Sequence, residues 1–265
     1  VSTKYEDTLA DRVLENVLRF HYPDYIRRIM RTKIGRKFMF LFFGKKKDKP
    51  LGFPTKFSFV HKTDEDRVEN LPHLLGYPNP LVVTEKLDGS SSTYILERKG
   101  KRKFEFYVCS RNVRLLKPDQ PTYHDHNIYW DMAFKYDIEN KLKEYLIKNP
   151  ELTYVCIQGE AVGSVQGNPL KLKEDDLYVF NFIRSDFGRL PSVKGKEIVE
   201  EMGMKFVPIL DTAYFMPTTM EEVKEYATAK SAVNSQVMRE GVVLRDPSTD
   251  LSFKNVSREY LLKHE

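Results

Sequence analysis

The feature that most limits how this chain can fold is a change of texture along it. Beyond residue 80 the β-prone segments are short: Leu81–Thr84, Ser92–Glu97, Phe104–Cys109, Tyr154–Ile157, Leu177–Ile183, Val242–Leu244 and Leu251–Phe253, each bounded by Gly, Asp, Asn or Pro. Helical periodicity interrupts them at Trp130–Lys148, Lys194–Met202 and Thr219–Ala232. Strands that short, separated by turns and isolated helices, predict an α+β fold built mostly of antiparallel sheet. The first 45 residues read differently. Leu9, Val13, Val17 and Phe20 recur at helical spacing after Thr8, and Ile26, Ile29 and Met30 follow the break at Tyr22-Pro23-Asp24. The lysines from Lys45, with Pro50, Gly52 and Pro54, form a connector. The expected organisation is therefore a basic, mainly helical extension over residues 1–56 and a second domain over 57–265.

Charge follows the same division. Residues 1–60 hold fourteen Lys or Arg against six Asp or Glu, an excess of eight positive charges, whereas the whole chain carries only +5. Between Arg27 and Lys49 there are ten basic residues and one acid, interleaved with Phe38, Phe40, Phe42 and Phe43, a pattern suited to phosphates and equally to a solvated face. Seventeen Phe and fifteen Tyr suffice for a large core. No apolar run approaches the length of a membrane span, and no signal-peptide order is present, so the reading is an intracellular, non-secreted protein that acts as a monomer. Two cysteines, Cys109 and Cys156, lie inside β-prone runs and predict buried thiols in a reducing compartment.

The sharpest local feature is Glu85-Lys86-Leu87-Asp88-Gly89, where a strand meets the polar run Ser90-Ser91-Ser92. A lysine at such a junction faces a cleft, and a Lys-x-Asp-Gly tetrapeptide alone is a weak signal. It has companions in order: Ser110-Arg111-Asn112, Ile157-Gln158-Gly159-Glu160, Tyr178 to Phe182, Glu240 to Arg245, and Ser252-Phe253-Lys254-Asn255. This ordered set resembles the covalent nucleotidyltransferase superfamily of ligases and RNA-capping enzymes. Within it the chain is most similar to the ATP-dependent RNA ligases of nick-sealing type, over roughly residues 57–264.

The resemblance implies an adenylyltransferase core of antiparallel α+β type, ATP-grasp-like, with a nucleotide cleft between sheets. It implies that Lys86 takes AMP from ATP, that AMP passes to a 5′-phosphate end of RNA, and that a 3′-hydroxyl then seals the break, a nick in a duplex, with Mg²⁺ or Mn²⁺ as cofactor. Asp88 and Lys254 join Lys86 as catalytic residues. Glu85 is expected near the adenine amino group, Phe180 under the base, Arg111 at sugar-phosphate, and Gly89 in a tight turn beside phosphate. Glu160 and Glu240 are expected to grip ribose hydroxyls and, with Asp88, to hold the metal or its waters. By strand alternation Tyr178 and Phe182 share the face of Phe180.

Two departures stand out. Ser252 occupies the place of the first of two lysines in the last block, leaving Lys254, and the extra mass lies before the lysine motif, so an oligonucleotide-binding barrel is not expected after Lys254. Tyr260, Leu261 and Leu262 are expected in a short closing helix. Two rival readings are a guanylyltransferase, which takes GTP, and a non-catalytic module that grips nucleic-acid ends. His124-Asp125-His126 reads as a solvated or phosphate-facing loop, since no third ligand stands near, and His61-Lys62-Thr63 lies where phosphate contact is possible.

Overall fold

The computed structural model describes residues 51–52, 57, 60, 63–118 and 127–264. The expected N-terminal helices, the basic stretch 27–49, His61-Lys62 and His124-Asp125-His126 lie outside them. In the described residues the strands are β1 (Leu51–Gly52), β2 (Asp66–Arg67), β3 (Leu81–Lys86), β4 (Ser90–Arg98), β5 (Phe104–Ser110), β6 (Val113–Leu115), β7 (Tyr154–Val162), β8 (Asp176–Arg184), β9 (Gly188–Arg189), β10 (Lys205–Phe206), β11 (Ile209–Tyr214), β12 (Gly241–Arg245) and β13 (Ser252–Val256). The helices are α1 (Ile128–Lys135), α2 (Ile138–Lys148), α3 (Ser192–Glu201), α4 (Met220–Ala227) and α5 (Arg258–His264).

Two sheets result. The larger runs β1-β6-β5-β4-β7-β8-β10, with β9 on β8, and the smaller runs β11-β3-β12-β13-β2. Only β10 on β8 and β2 on β13 are parallel pairs, so the expected antiparallel α+β architecture is what the chain adopts. The long strands of the larger sheet are two-faced. Tyr94, Leu96, Val155 and Ile157 pack with Leu142 and Leu146 of α2 and Ile198 and Val199 of α3. Ile95, Cys109, Cys156 and Ile183 point the other way, under Phe57 and Val60. Both cysteines are free and buried, and burial pushes the Cys109 thiol up to about 12, so neither is a nucleophile at neutral pH. The smaller sheet buries Val83, Val242, Leu244 and Phe253 against Val223 and Ala227 of α4. Among the described residues no helix is long and apolar enough to cross a membrane.

Three expectations need correction. The periodic stretch Trp130–Lys148 is two helices, because Asp137 adopts φ 49°, a left-handed conformation that ends one hydrogen-bond ladder and starts another. The helix expected to reach Ala232 is capped by Thr219 and stops at Ala227, because the chain then turns so that the Ala232 amide donates to Glu85 Oε2 at 2.8 Å. The third concerns β8. Gln158 faces Asn181 while Gly159 faces Val179, so Phe180 is an extra residue, a β-bulge. The bulge breaks the alternation: Leu177, Val179 and Phe182 all enter the helix-covered core, whereas Phe180 is only half-buried, packs against the edge of that core and lines the cleft. Gly159 makes this possible, since a Cβ there would lie 2.8 Å from the Tyr178 carbonyl oxygen and 2.9 Å from Leu177 Cδ1. Gly159→Ala is therefore expected to lower stability by about 1–3 kcal/mol, read as a lower urea midpoint at unchanged slope.

Candidate active site

The segment Lys86–Gly89 is where the chain leaves the smaller sheet for the larger one, since β3 belongs to the first and β4 to the second. Strand pairing stops at this crossover, and a cleft of about 700 Å³ opens between the sheets. All nine site residues expected from the sequence line it: Glu85, Lys86, Asp88, Gly89, Arg111, Glu160, Phe180, Glu240 and Lys254.

Register explains how they meet. Lys86 pairs with Gly241 across β3 and β12, which sets the preceding Glu240 beside it, and Lys86 Nζ lies 2.7 Å from each Glu240 carboxylate oxygen. A Cβ at Gly241 would sit 2.2 Å from the Asn255 carbonyl oxygen, so only glycine lets β12 and β13 close up there. Ser91 pairs with Glu160, bringing the β7 carboxylate to the cleft from the opposite wall. Lys254 on β13 faces Val243 on β12, and its Nζ donates to Asp64 Oδ1 at 2.9 Å; Arg111 Nη2 approaches the same oxygen at 3.4 Å. The Lys254 bond holds the Asp64 carboxyl below its ordinary value, against the opposing effect of burial.

Three carboxylates thus share the space around Lys86. Burial pushes Glu160 up to about 8, with Lys86 opposing and Glu240 and Asp88 adding repulsion. Burial also raises Glu240, again opposed by Lys86. Such an excess of acid in a partly dehydrated cleft favours a cation. Glu85 is different: it is 2% exposed, Oε1 has no hydrogen-bond partner among the described residues, and burial raises its carboxyl against the opposing hydrogen bonds of Ser231 and the Ala232 amide. An unmet acceptor at the closed end of a cleft suits a ligand's amino donor.

Gly89 lines the cleft for a reason other than the expected turn. Gly89 has no positive φ; glycine is needed because a Cβ would lie 2.3 Å from the Ala161 carbonyl oxygen, just ahead of where β4 pairs with β7. Asp88 lies beyond the end of β3 at Lys86, after the buried Leu87, and its carboxylate accepts a hydrogen bond from the Tyr260 hydroxyl on α5. The cleft also contains residues to which sequence reasoning gave no role, among them Asp64, Arg67, Tyr129, Gln166, Arg245 and Tyr260. Asp64 and Arg67 come from a two-residue edge strand and the turn before it, too short to show any period, and only pairing with β13 carries them to the cleft.

A family profile described as RNA ligase matches residues 79–263. Among curated proteins none matches. A solved structure of Naegleria gruberi RNA ligase with pyrophosphate is similar at 32% identity and TM-score 0.66, covering 83% of this chain and 61% of that one. A mutant of the same ligase with ATP and manganese is similar at 32% identity and TM-score 0.67, covering 82% and 61%. Another mutant with AMP and manganese is similar at 30% identity and TM-score 0.67, covering 85% and 67%. The chain thus spans about three fifths of the length of the first two of these structures.

Proposed function

Because this chain belongs to the RNA ligase family, we propose that it seals 5′-phosphate and 3′-hydroxyl ends of RNA, at nicks in a duplex, using ATP. The observation that carries this reading is the meeting, at one crossover between two sheets, of Lys86 and its neighbour Asp88 with Glu160, Glu240 and Lys254 from three other places in the chain. The Naegleria gruberi ligase has been seen with ATP and manganese, and the same ligands are carried over here as part of the proposal.

The residues fit the nucleotide. Glu85 Oε1 offers a buried acceptor to the adenine amino group, and Phe180, released by the bulge, offers a ring face to the base. Arg111 and Lys254 supply positive charge where phosphates would lie. In the first step the Lys86 amine attacks the α-phosphorus, the bond to the bridging oxygen breaks, and pyrophosphate leaves. Lys86 must first give up its proton and its bidentate contact with Glu240. Glu240, whose burial favours the protonated form, is the acceptor at hand. AMP then moves from Lys86 to the 5′-phosphate of RNA. The 3′-hydroxyl attacks that activated phosphorus, forming the phosphodiester and releasing AMP.

The donor set also fits a divalent cation. Asp88, Glu160 and Glu240 are hard oxygen ligands, but among the described residues no three acidic, histidine or cysteine side chains converge tightly enough to cage a bare ion. Mg²⁺ keeps several of its waters, so these carboxylates would hold it through water. When bound, such an ion offsets charge on the phosphates and favours the neutral amine of Lys86 by repulsion.

We further assign residues 1–56 and 57–265 to separate domains, the basic stretch 27–49 supplying sequence-independent phosphate contacts on RNA. The test is a nicked RNA duplex, labelled at the 5′-phosphate of the nick, incubated with protein, ATP and Mg²⁺. Ligase action yields a longer labelled strand that resists phosphatase. Protein that takes covalent label from GTP and none from ATP would instead be a guanylyltransferase, and protein that takes none from either while binding the duplex would be an end-binding module.

A further inference from the structure

A guanidinium is buried in the wall shared by the two sheets. Arg245, at the end of β12, is 7% exposed, and its nitrogens are engaged by three separate elements. Nε donates to Ser252 Oγ at 3.1 Å, Nη1 to the Phe180 carbonyl oxygen at 2.9 Å, and Nη2 to Glu65 Oε1 at 3.3 Å. The second bond is the informative one. Phe180 is the bulged residue of β8, with no register partner on β7, and Arg245 belongs to the other sheet. A side chain of one wall therefore secures the backbone of the opposite wall at the residue whose ring faces the cleft. Ser252, standing where the resemblance expects a lysine, is the hydroxyl that orients the fork from the next strand. Burial lowers Arg245 to about 10, so it stays charged at neutral pH, and the rigid guanidinium reaches three acceptors that no ammonium could serve together.

We infer that Arg245 is a positioning residue for nucleotide binding: by fixing the Phe180 bulge from across the cleft, it presents the Phe180 ring to the base and sets the affinity for ATP. The inference rests on the proposed use of this cleft for ATP. With Arg245 removed, the Phe180 carbonyl loses its anchor, the bulge is free to migrate along β8, and each one-residue slip turns a different side chain to the cleft. Glu65 does not become an isolated buried charge, because Arg189 Nη1 lies 3.8 Å from the same oxygen, and the fold is expected to survive.

The experiment measures covalent label transfer from α-labelled ATP in single turnover, against ATP concentration, for wild type, Arg245→Met, Arg245→Lys, Phe180→Ala and the Arg245→Met/Phe180→Ala double variant. Arg245→Met is expected to raise half-saturating ATP about tenfold, the size of one lost buried hydrogen bond to a charged donor, with the saturating rate within about twofold. Arg245→Lys, which keeps the charge without the fork, is expected to be intermediate, and it carries the comparison should Arg245→Met not fold. In the Phe180→Ala background Arg245→Met should add nothing, because there is no ring left to present. The inference is overturned by unchanged half-saturation in either folded Arg245 variant, by a fall in saturating rate alone, or by additive effects in the double variant. Wild-type protein that takes no label overturns the ligase reading itself, a result distinct from labelled wild type with an unaffected Arg245 variant.

Discussion

Replacing Lys86 with alanine is expected to abolish covalent adenylylation, with label transfer from α-labelled ATP falling by at least about three orders of magnitude. Among the described residues no other amine is placed to substitute. Lys254, the other lysine lining the cleft among the described residues, is held by Asp64 in the turn before β2. The fold should tolerate the change, because Lys86 is the last residue of its strand, partly exposed, and contributes no buried apolar contact. Its loss removes the counter-charge of Glu240, whose carboxyl burial already raises, so the charge left behind is one the site already disfavours. The measurement is denaturing electrophoresis after incubation with labelled ATP and Mg²⁺, with thermal unfolding as the control for folding. The variant should still seal a nick whose 5′ end is supplied already adenylylated, because that last step does not pass through the lysine. Label persisting in the variant would remove Lys86 from the first step.

Lys254→Ala is expected to slow the first step by about a hundred- to a thousandfold, the usual cost of removing one positioned charge from a developing oxyanion. Lys254 is on β13, one strand beyond β12, with a side chain 17% exposed. A cation that is largely withdrawn from water acts more strongly on a phosphate than a solvated one. It is also the surviving lysine of a block in which Ser252 stands in the other place, so its loss is not covered by a twin. Lys254→Arg should recover part of the rate, since the charge is kept and the geometry altered. Rapid quench of a single turnover at saturating ATP reads the effect. If the whole loss appeared in half-saturating ATP, Lys254 would be a ground-state binder and not a stabiliser of the transition state.

Local order in the sequence explains how much of this was legible there. The strand runs come with Gly, Asp, Asn or Pro at their ends, and the structure places strands at all seven of them. What the runs understate is length: the expected strand Tyr154–Ile157 continues to Val162 because β4 and β8 pair on both sides of it, and only that continuation brings Glu160 to the cleft. Short edge strands such as Asp66–Arg67 and Gly188–Arg189 carry no periodicity of their own and exist through their partners. The kink at Asp137 was hidden for the opposite reason, since apolar spacing continues through it and only a backbone angle marks the break.

For the cleft, the order of the motifs brought nine residues into one list, and the folded chain brings the same nine into one space. Their contacts were not readable. The pairing of Lys86 with Glu240 spans 154 residues, and that of Lys254 with Asp64 spans 190. The Phe180 bulge depends on one strand slipping a single residue against another, which no alternation rule applied to β8 alone reveals.

The sequence by itself determined the fold class, the strand-to-loop junction that carries Lys86, and the chemistry available to the site, because residue types, turns and motif order are local properties of the chain. The tertiary structure alone decided which carboxylate meets the lysine, which face Phe180 takes, why Gly89 must be glycine, and how Arg245 joins the two walls. Each of these is set by register between strands distant in sequence, and register is a property of the packed sheets.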